Sequence, residues 1–271
     1  MTEIARATRK LRKDRIAALI LCVFLAVFLY AWLWEPYWIE ATHHSIEAPV
    51  SSPIKIAHLT DLHTRGLGRR EQLMLDLLDK EKPQVIVITG DTLANNGTTE
   101  MMKPVLSRLR APLGVWVVRG NWENWLRDAS YRSFYDSVGV RLLVNKSEQL
   151  TDELWIVGLD DRASGSPDPE KALERVPPGS FTIALIHSPA GFELIAGKVS
   201  LVLAGHTHGG QVNLPFLGPL WLPRGVNGFL AGWYERHGTR MYVSRGIGTS
   251  IFNVRFLSRP EVAIFELIPK K

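Results

Sequence analysis

Five apolar runs in this 271-residue chain end in the same manner, and that ending restricts the fold more than any other feature. IKIAHL (54–59) runs into Asp61-Leu62-His63, VIVIT (85–89) into Gly90-Asp91, and GVWVV (114–118) into Gly120-Asn121. FTIALIH ends in His187, and VSLVLAGHTH ends in His206 and His208. Short runs rich in β-branched residues are strand signals. Between and after the first three runs lie helix-like segments at 69–82, 99–110 and 122–137. A β-α-β-α-β-α order predicts a parallel-type sheet.

The second half is richer in strands. RLLVN, LWIVGL, FTIALIH, VSLVLAGH, QVNL, GTRMYVS and EVAIFEL all read as strands, with short helices near 168–175 and 190–197. Two packed sheets with helices on the outside account for this pattern. No internal repeat is visible, so one catalytic domain over 54–271 is expected.

Ahead of that domain, residues 16–34 are 19 positions without a charge. At 1.5 Å per residue they reach about 28 Å, close to one hydrocarbon core. Trp32, Trp34, Tyr37 and Trp38 cluster at the far end like an interfacial belt. No small-x-small cleavage site follows, which argues for a retained anchor over a signal peptide. Six basic and two acidic residues crowd positions 1–15, so nearly all of the net charge of +5 sits there. The rest is close to neutral, which gives no argument for nucleic acid. The charge rule keeps residues 1–15 in the cytoplasm and sends the chain from residue 40 onward across the membrane, single-pass. A helix lying in the interface, with the domain left in the cytoplasm, is the alternative. Residues 35–53 read as a linker with Pro36, Pro49 and Pro53.

A lone Asp after a strand is usually a turn or cap residue. Seven polar residues at five strand ends (Asp61, His63, Asp91, Asn121, His187, His206 and His208) exceed what capping explains. Imidazole, carboxylate and amide oxygen without thiolate suit Mn²⁺, Fe²⁺, Zn²⁺ or Ni²⁺. The single Cys22 excludes a cysteine-based site. Seven ligands suit two divalent ions, with manganese the first choice, and Asp91 is the natural bridge because its strand lies between those of Asp61 and Asn121.

The order D-x-H, G-D, G-N, single His, G-H-x-H resembles the calcineurin-like metallophosphoesterases. It stands here as Asp61-Leu62-His63, Gly90-Asp91, Gly120-Asn121, His187 and Gly205-His206-Thr207-His208. GHTHGGQVNLP and the later YVSRGIGTS are most similar to a membrane-associated bacterial phosphodiesterase branch. The resemblance implies an α/β fold, a four-layer α/β/β/α sandwich. It also implies one metal on Asp61, His63, Asp91 and His208, and a second on Asp91, Asn121, His187 and His206. Asp91 and Asn121 are then the catalytic candidates, and coordinated water the nucleophile.

One position departs from the family. The third motif usually continues Gly-Asn-His-Asp or Gly-Asn-His-Glu, and here it is Gly120-Asn121-Trp122-Glu123. That His donates to phosphate or protonates the leaving group, whereas an indole N–H cannot shuttle a proton. Either the domain only binds, or its substrate leaves without an acid. Intact ligand positions favour the second. Bacterial pyrophosphohydrolases of UDP-2,3-diacylglucosamine, in lipid A synthesis, resemble this case, with Arg in place of the His. A general envelope phosphodiesterase is the alternative, and the predicted topology favours it. No role is assigned to Glu123.

PFLGPLWLPRGVNGFLAGWY (215–234) reads either as an acyl groove or membrane-facing lip, or as loop packing under the second sheet. Trp122, Arg224 and Arg245 are the candidate substrate contacts, the two arginines by charge alone. His43 and His44 are expected near solvent or headgroups, His58 in the core or behind a ligand, and His237 in a hairpin turn.

Overall fold

The structure, a computed structural model, describes residues 3–94, 97–126 and 131–270. Helix α1 (Glu3–Leu29) continues through a π-helical turn, Tyr30–Trp34, and a 3-10 turn, Glu35–Tyr37. The basic segment and the uncharged run thus share one rod. Leu19, Phe24 and their apolar neighbours on the rod are exposed.

Strand β1 (Glu40–Ala48) follows, then β2 (Ile54–Leu59), α2 (Arg69–Glu81), β3 (Val85–Thr89), α3 (Thr99–Leu106), β4 (Val115–Val118), α4 (Asn121–Leu126), α5 (Tyr131–Ser137) and β5 (Val140–Leu142). The second half runs β6 (Lys146–Gln149), β7 (Leu154–Gly158), α6 (Pro169–Leu173), β8 (Phe181–Leu185), α7 (Phe192–Ile195) and β9 (Leu201–Ala204). A two-stranded hairpin, β10 (Asn213–Leu214) and β11 (Gly218–Pro219), precedes β12 (Gly232–Arg236), β13 (Thr239–Val243) and β14 (Glu261–Pro269). Two six-stranded sheets result, ordered β1-β14-β2-β3-β4-β5 and β12-β13-β9-β8-β7-β6.

Period-two alternation explains why the central strands are apolar on both faces. In β3, Val85 and Val87 enter the core between the sheets, while Ile86 and Ile88 pack under α2, α3 and α5. In β9, Leu201 and Leu203 face the inter-sheet core, while Val202 and Ala204 face the layer of α6 and α7. The expected α/β/β/α sandwich follows from three cores separating four layers.

Residues 35–53 are not a linker. Glu40–Ala48 pairs parallel with β14 over its whole length. The strand was hidden because its alternation is mostly polar: Ile46 and Ala48 are buried while His43, Ser45 and Glu47 are exposed. His44 is likewise no headgroup contact. Its ring packs on Tyr242 and Phe265, with centroids 4.5 and 5.1 Å away, and burial lowers its pKa. His43 is exposed and pairs with Glu81 at 3.1 Å.

Other elements are shorter than their patterns. The 99–110 helix stops at Leu106, QVNL keeps only Asn213–Leu214 before Pro215, and the 122–137 helix appears as α4 and α5, with residues 127–130 outside the described residues.

Candidate metal centre

Strands β2, β3 and β4 are mutually parallel, as are β7, β8 and β9. The sheets meet so that β2, β3, β4, β8 and β9 deliver their carboxyl ends to one place, where open α/β sheets assemble sites. His187 Nδ1, after β8, lies 2.7 Å from the Thr89 carbonyl at the end of β3. Two glycines permit this approach. A Cβ on Gly90 would lie 2.7 Å from His187 Nδ1, and one on Gly205 would collide with Thr60 Oγ1. Asp61, His63, Asp91, His206 and His208 all adopt positive φ, between 41° and 73°. Left-handed backbone outside glycine costs on the order of 1–3 kcal/mol per residue and persists where surroundings impose it. Five of the seven candidates therefore sit in strained turns that aim their side chains inward.

The seven form two buried groups. Ligand atoms of Asp61, His63 and His208 lie within 4.8 Å of one another, as do those of Asp91, His187 and His206. Asn121 Oδ1 joins the second group, 3.0 Å from His187 Nε2. Asp91 Oδ2 faces both groups, 3.6 Å from His63 Nε2 and 3.4 Å from His187 Nε2. Its other oxygen accepts the Trp122 N–H at 3.0 Å.

Protonation geometry fits a pair of cations. His63 Nδ1, His187 Nδ1 and His206 Nε2 each lie against a backbone carbonyl, of Leu93, Thr89 and Arg224. Each of those nitrogens donates, which leaves the opposite nitrogen as a lone pair directed at the cluster, the usual arrangement behind metal-ligating histidine. Ring nitrogens face one another at 3.2 Å between His63 Nε2 and His208 Nε2 and at 3.0 Å between His187 Nε2 and His206 Nδ1. Asp61 Oδ1 is buried without a hydrogen-bond partner. Burial pushes His63 down to about 3 and His206 to about 4, so both are neutral donors. Burial also raises the Asp91 carboxyl to about 7. At His187 burial opposes charge, but Asp91, Asp61 and Asp161 outweigh it and raise the imidazole well above its ordinary value. The carboxylates require positive charge here, and divalent ions on oxygen and imidazole donors supply it.

Glu123, whose role could not be read from its motif, is buried. Its carboxylate accepts the N–H groups of Gly120 at 2.9 Å, Asp91 at 3.0 Å and Thr92 at 2.7 Å, plus the Thr92 hydroxyl. It ties the end of β3 to the end of β4. Asp161 was also missed: it accepts from Ser188 N and Oγ, and from Ser164, beside His187. An apolar run ending in Leu159-Asp160-Asp161 was the available signal.

Of the proposed substrate contacts, Trp122 stands at the site, with its ring edge-on to His63 at 5.6 Å. Arg245 does not serve as a free phosphate anchor, because its guanidinium pairs with Glu261 at 3.1 Å and Glu40 at 2.8 Å. Arg224 reaches the site through its carbonyl, and its side chain is exposed. His58 is buried behind the ligands, 2.8 Å from Thr89 Oγ1, and burial lowers it to about 3. His237 makes the β12–β13 turn with φ of 51°.

Two adjoining cavities, which share Ser250 and Ile251, reach the His63–His208 pair. One, of about 500 Å³, is lined by His63 with Arg65, Arg69 and Arg70. The other, of about 280 Å³, is lined by His208 with Leu220, Trp221, Ile251 and Phe252.

Residues 54–210 match a family described as calcineurin-like phosphoesterase. The chain is 34% identical over 253 residues to the metallophosphoesterase YkuE of Bacillus subtilis (strain 168), covering 88% of each. It is 28% identical over 257 residues to Phosphodiesterase YaeI of Escherichia coli (strain K12), covering 89% of this chain and 93% of that one. A Bos taurus transmembrane protein with metallophosphoesterase domain is 30% identical over 249 residues, 83% of this chain and 55% of the relative.

Proposed function

The chain belongs to the calcineurin-like phosphoesterase family, and on that premise we propose that it is a bilayer-anchored hydrolase of a phosphodiester or pyrophosphate bond in a lipid-linked substrate. Metal-dependent phosphoester hydrolysis at a dinuclear divalent site is the activity of this family. One observation carries the reading to this chain: a single carboxylate oxygen, Asp91 Oδ2, faces both histidine groups.

Asp61, His63, Asp91 and His208 would hold one ion, and Asp91, Asn121, His187 and His206 the other. When bound, such ions lower the pKa of water and neutralise charge on the phosphoryl oxygens. The residues of the chain supply position. Backbone carbonyls of Leu93, Thr89 and Arg224 fix three imidazoles. Glu123 holds the turns that carry Asp91 and Asn121. Trp122 walls the site at His63 with its ring edge-on to the imidazole. It cannot protonate the departing oxygen, so the substrate carries a leaving group that departs as an anion.

Dialysis of the full chain against a chelator should abolish hydrolysis of bis(p-nitrophenyl) phosphate, with recovery on adding Mn²⁺. Full activity in a metal-free preparation refutes the reading. Trp122→His tests the leaving group. It should raise turnover of alkyl diesters relative to aryl diesters by about tenfold or more, because a positioned acid contributes most where the leaving group is poor. An unchanged ratio removes the argument from Trp122.

The bilayer is the first partner in this reading. Its support is the uncharged run of α1, with 6% of its most apolar window buried, and a relative named as a transmembrane protein. The basic residues on α1 keep the N-terminus in the cytoplasm of an inner membrane. UDP-2,3-diacylglucosamine remains the specific candidate if the domain faces the cytoplasm. A C-terminal reporter that is active outside sinks it and leaves an envelope phosphodiester.

A further inference from the structure

The end of α1 is built into the domain. The Ala31 carbonyl accepts the Arg255 N–H at 2.9 Å. The buried Glu35 carboxylate accepts from Ser258 N at 2.6 Å and Leu257 N at 3.1 Å. Ala31 lies three residues inside the uncharged run, which ends at Trp34. That places it about 5 Å along the helix axis from the end of the apolar segment. Whatever covers Ala31 must therefore reach the level of the bilayer surface.

The loop covering it is apolar and outward-facing. Ile251 is 66% exposed and Phe252 72%, and Leu257 is exposed beside them. The β10–β11 hairpin is attached to the same loop: Asn213 N donates to the Phe256 carbonyl at 2.8 Å, and Gln211 Nε2 to the Phe252 carbonyl at 3.2 Å. At its tip Phe216 is fully exposed and Leu217 is 81% exposed. Further along, Val226 and Phe229 are buried, Phe229 in the outer core of the second sheet. The 215–234 segment thus divides into a bare tip and a packed stem. The loop is also held firmly, since the buried Arg255 guanidinium donates to the carbonyls of Gly248, Ser258 and Gly246.

A contiguous bare apolar surface marks an interaction site. Continuity with the helix end selects its occupant. We propose that Phe216, Leu217, Ile251 and Phe252 form a lip that inserts into the leaflet from which α1 emerges, seating the metal centre on the lipid surface. This rests on α1 crossing a bilayer. Its consequence is geometric: the His208 cavity, lined by Ile251 and Phe252, opens beside the lip. An acyl-bearing phosphodiester then enters from the leaflet, with the adjoining arginine-lined cavity at His63, which shares Ser250 and Ile251 with the first, for its polar part.

Spin labels on the full chain in phosphatidylglycerol/phosphatidylethanolamine nanodiscs test this by collision with oxygen and with a nickel chelate. In a Cys22→Ser background, Leu217→Cys and Phe252→Cys labels should lie about 5–10 Å inside the headgroup boundary. An Asp152→Cys label, in the turn before β7 at the opposite end of the sheets, should stay in water. Labelled native Cys22 reports the span itself, so failure of the anchor and failure of the lip give different signals. A far-UV circular dichroism spectrum matching that of the Cys22→Ser chain, with a retained rise in melting temperature on adding Mn²⁺, certifies that each labelled chain is folded. Labels at 217 and 252 as wet as the one at 152 overturn the proposal. So does shielding that accompanies a short 217-to-217 distance, which assigns the surface to a second copy of this chain.

Discussion

Asp91→Ala should lower hydrolysis of an aryl phosphodiester by at least about 10³-fold, the scale of losing a preorganised electrostatic element at a reacting phosphoryl group. The reason lies in its two oxygens. One faces His63 and His187 at 3.6 and 3.4 Å, and the other accepts the Trp122 N–H. Deleting the side chain removes the group shared by both clusters and leaves that N–H unpaired. Metal content, measured by mass spectrometry of the intact chain, should fall with activity. Asp91→Asn separates charge from shape. It keeps an oxygen for Trp122 but relieves the metal-free protein of a buried carboxylate whose pKa is raised to about 7 by burial. Added metal should raise its melting temperature less than that of the unmodified chain. Wild-type turnover in Asp91→Ala would remove the dinuclear site from the mechanism.

Glu123→Ala should destabilise the fold by about 3–5 kcal/mol, because three buried N–H groups lose their acceptor and each unmet donor costs about 1–3 kcal/mol. The donors belong to Gly120, Asp91 and Thr92, so activity and metal affinity should fall together with stability. Glu123→Gln keeps one oxygen but turns an amide N–H₂ toward donors, so it should recover only part of the loss. Urea midpoints in detergent, with and without Mn²⁺, read this directly. Where a carboxylate merely orients a neighbouring acid, its removal alters the pH–rate profile and spares the midpoint. A midpoint unmoved by Glu123→Ala excludes the tie between β3 and β4.

Particular residues show what was legible. Val85–Thr89 reads as a doubly buried strand because every position is apolar or β-branched, and both faces do pack into cores. Glu40–Ala48 does not read as a strand, because an edge needs only one buried face and fills part of it with histidine. Arg245 illustrates a different limit. Its charge suggested a phosphate contact, but Glu40 and Glu261, 205 and 16 residues away, neutralise it. Glu123 is the inverse case: a residue whose family partner is absent still ties two strand ends through backbone donors.

Legible in the chain alone were the side chains that can hold metal, the strand that each follows, and the uncharged run that precedes them. These are local properties, set by side-chain chemistry and by the period of each segment. The rest came from the packing of distant segments. It turned five ligand candidates into the left-handed region, brought Asp91 between two histidine groups, and set the end of α1 against the 251–258 loop. It also separated the bare tip of the 215–234 segment from its buried stem. Each depends on which distant segments meet when the two sheets close on one another, and no single stretch of chain encodes that meeting.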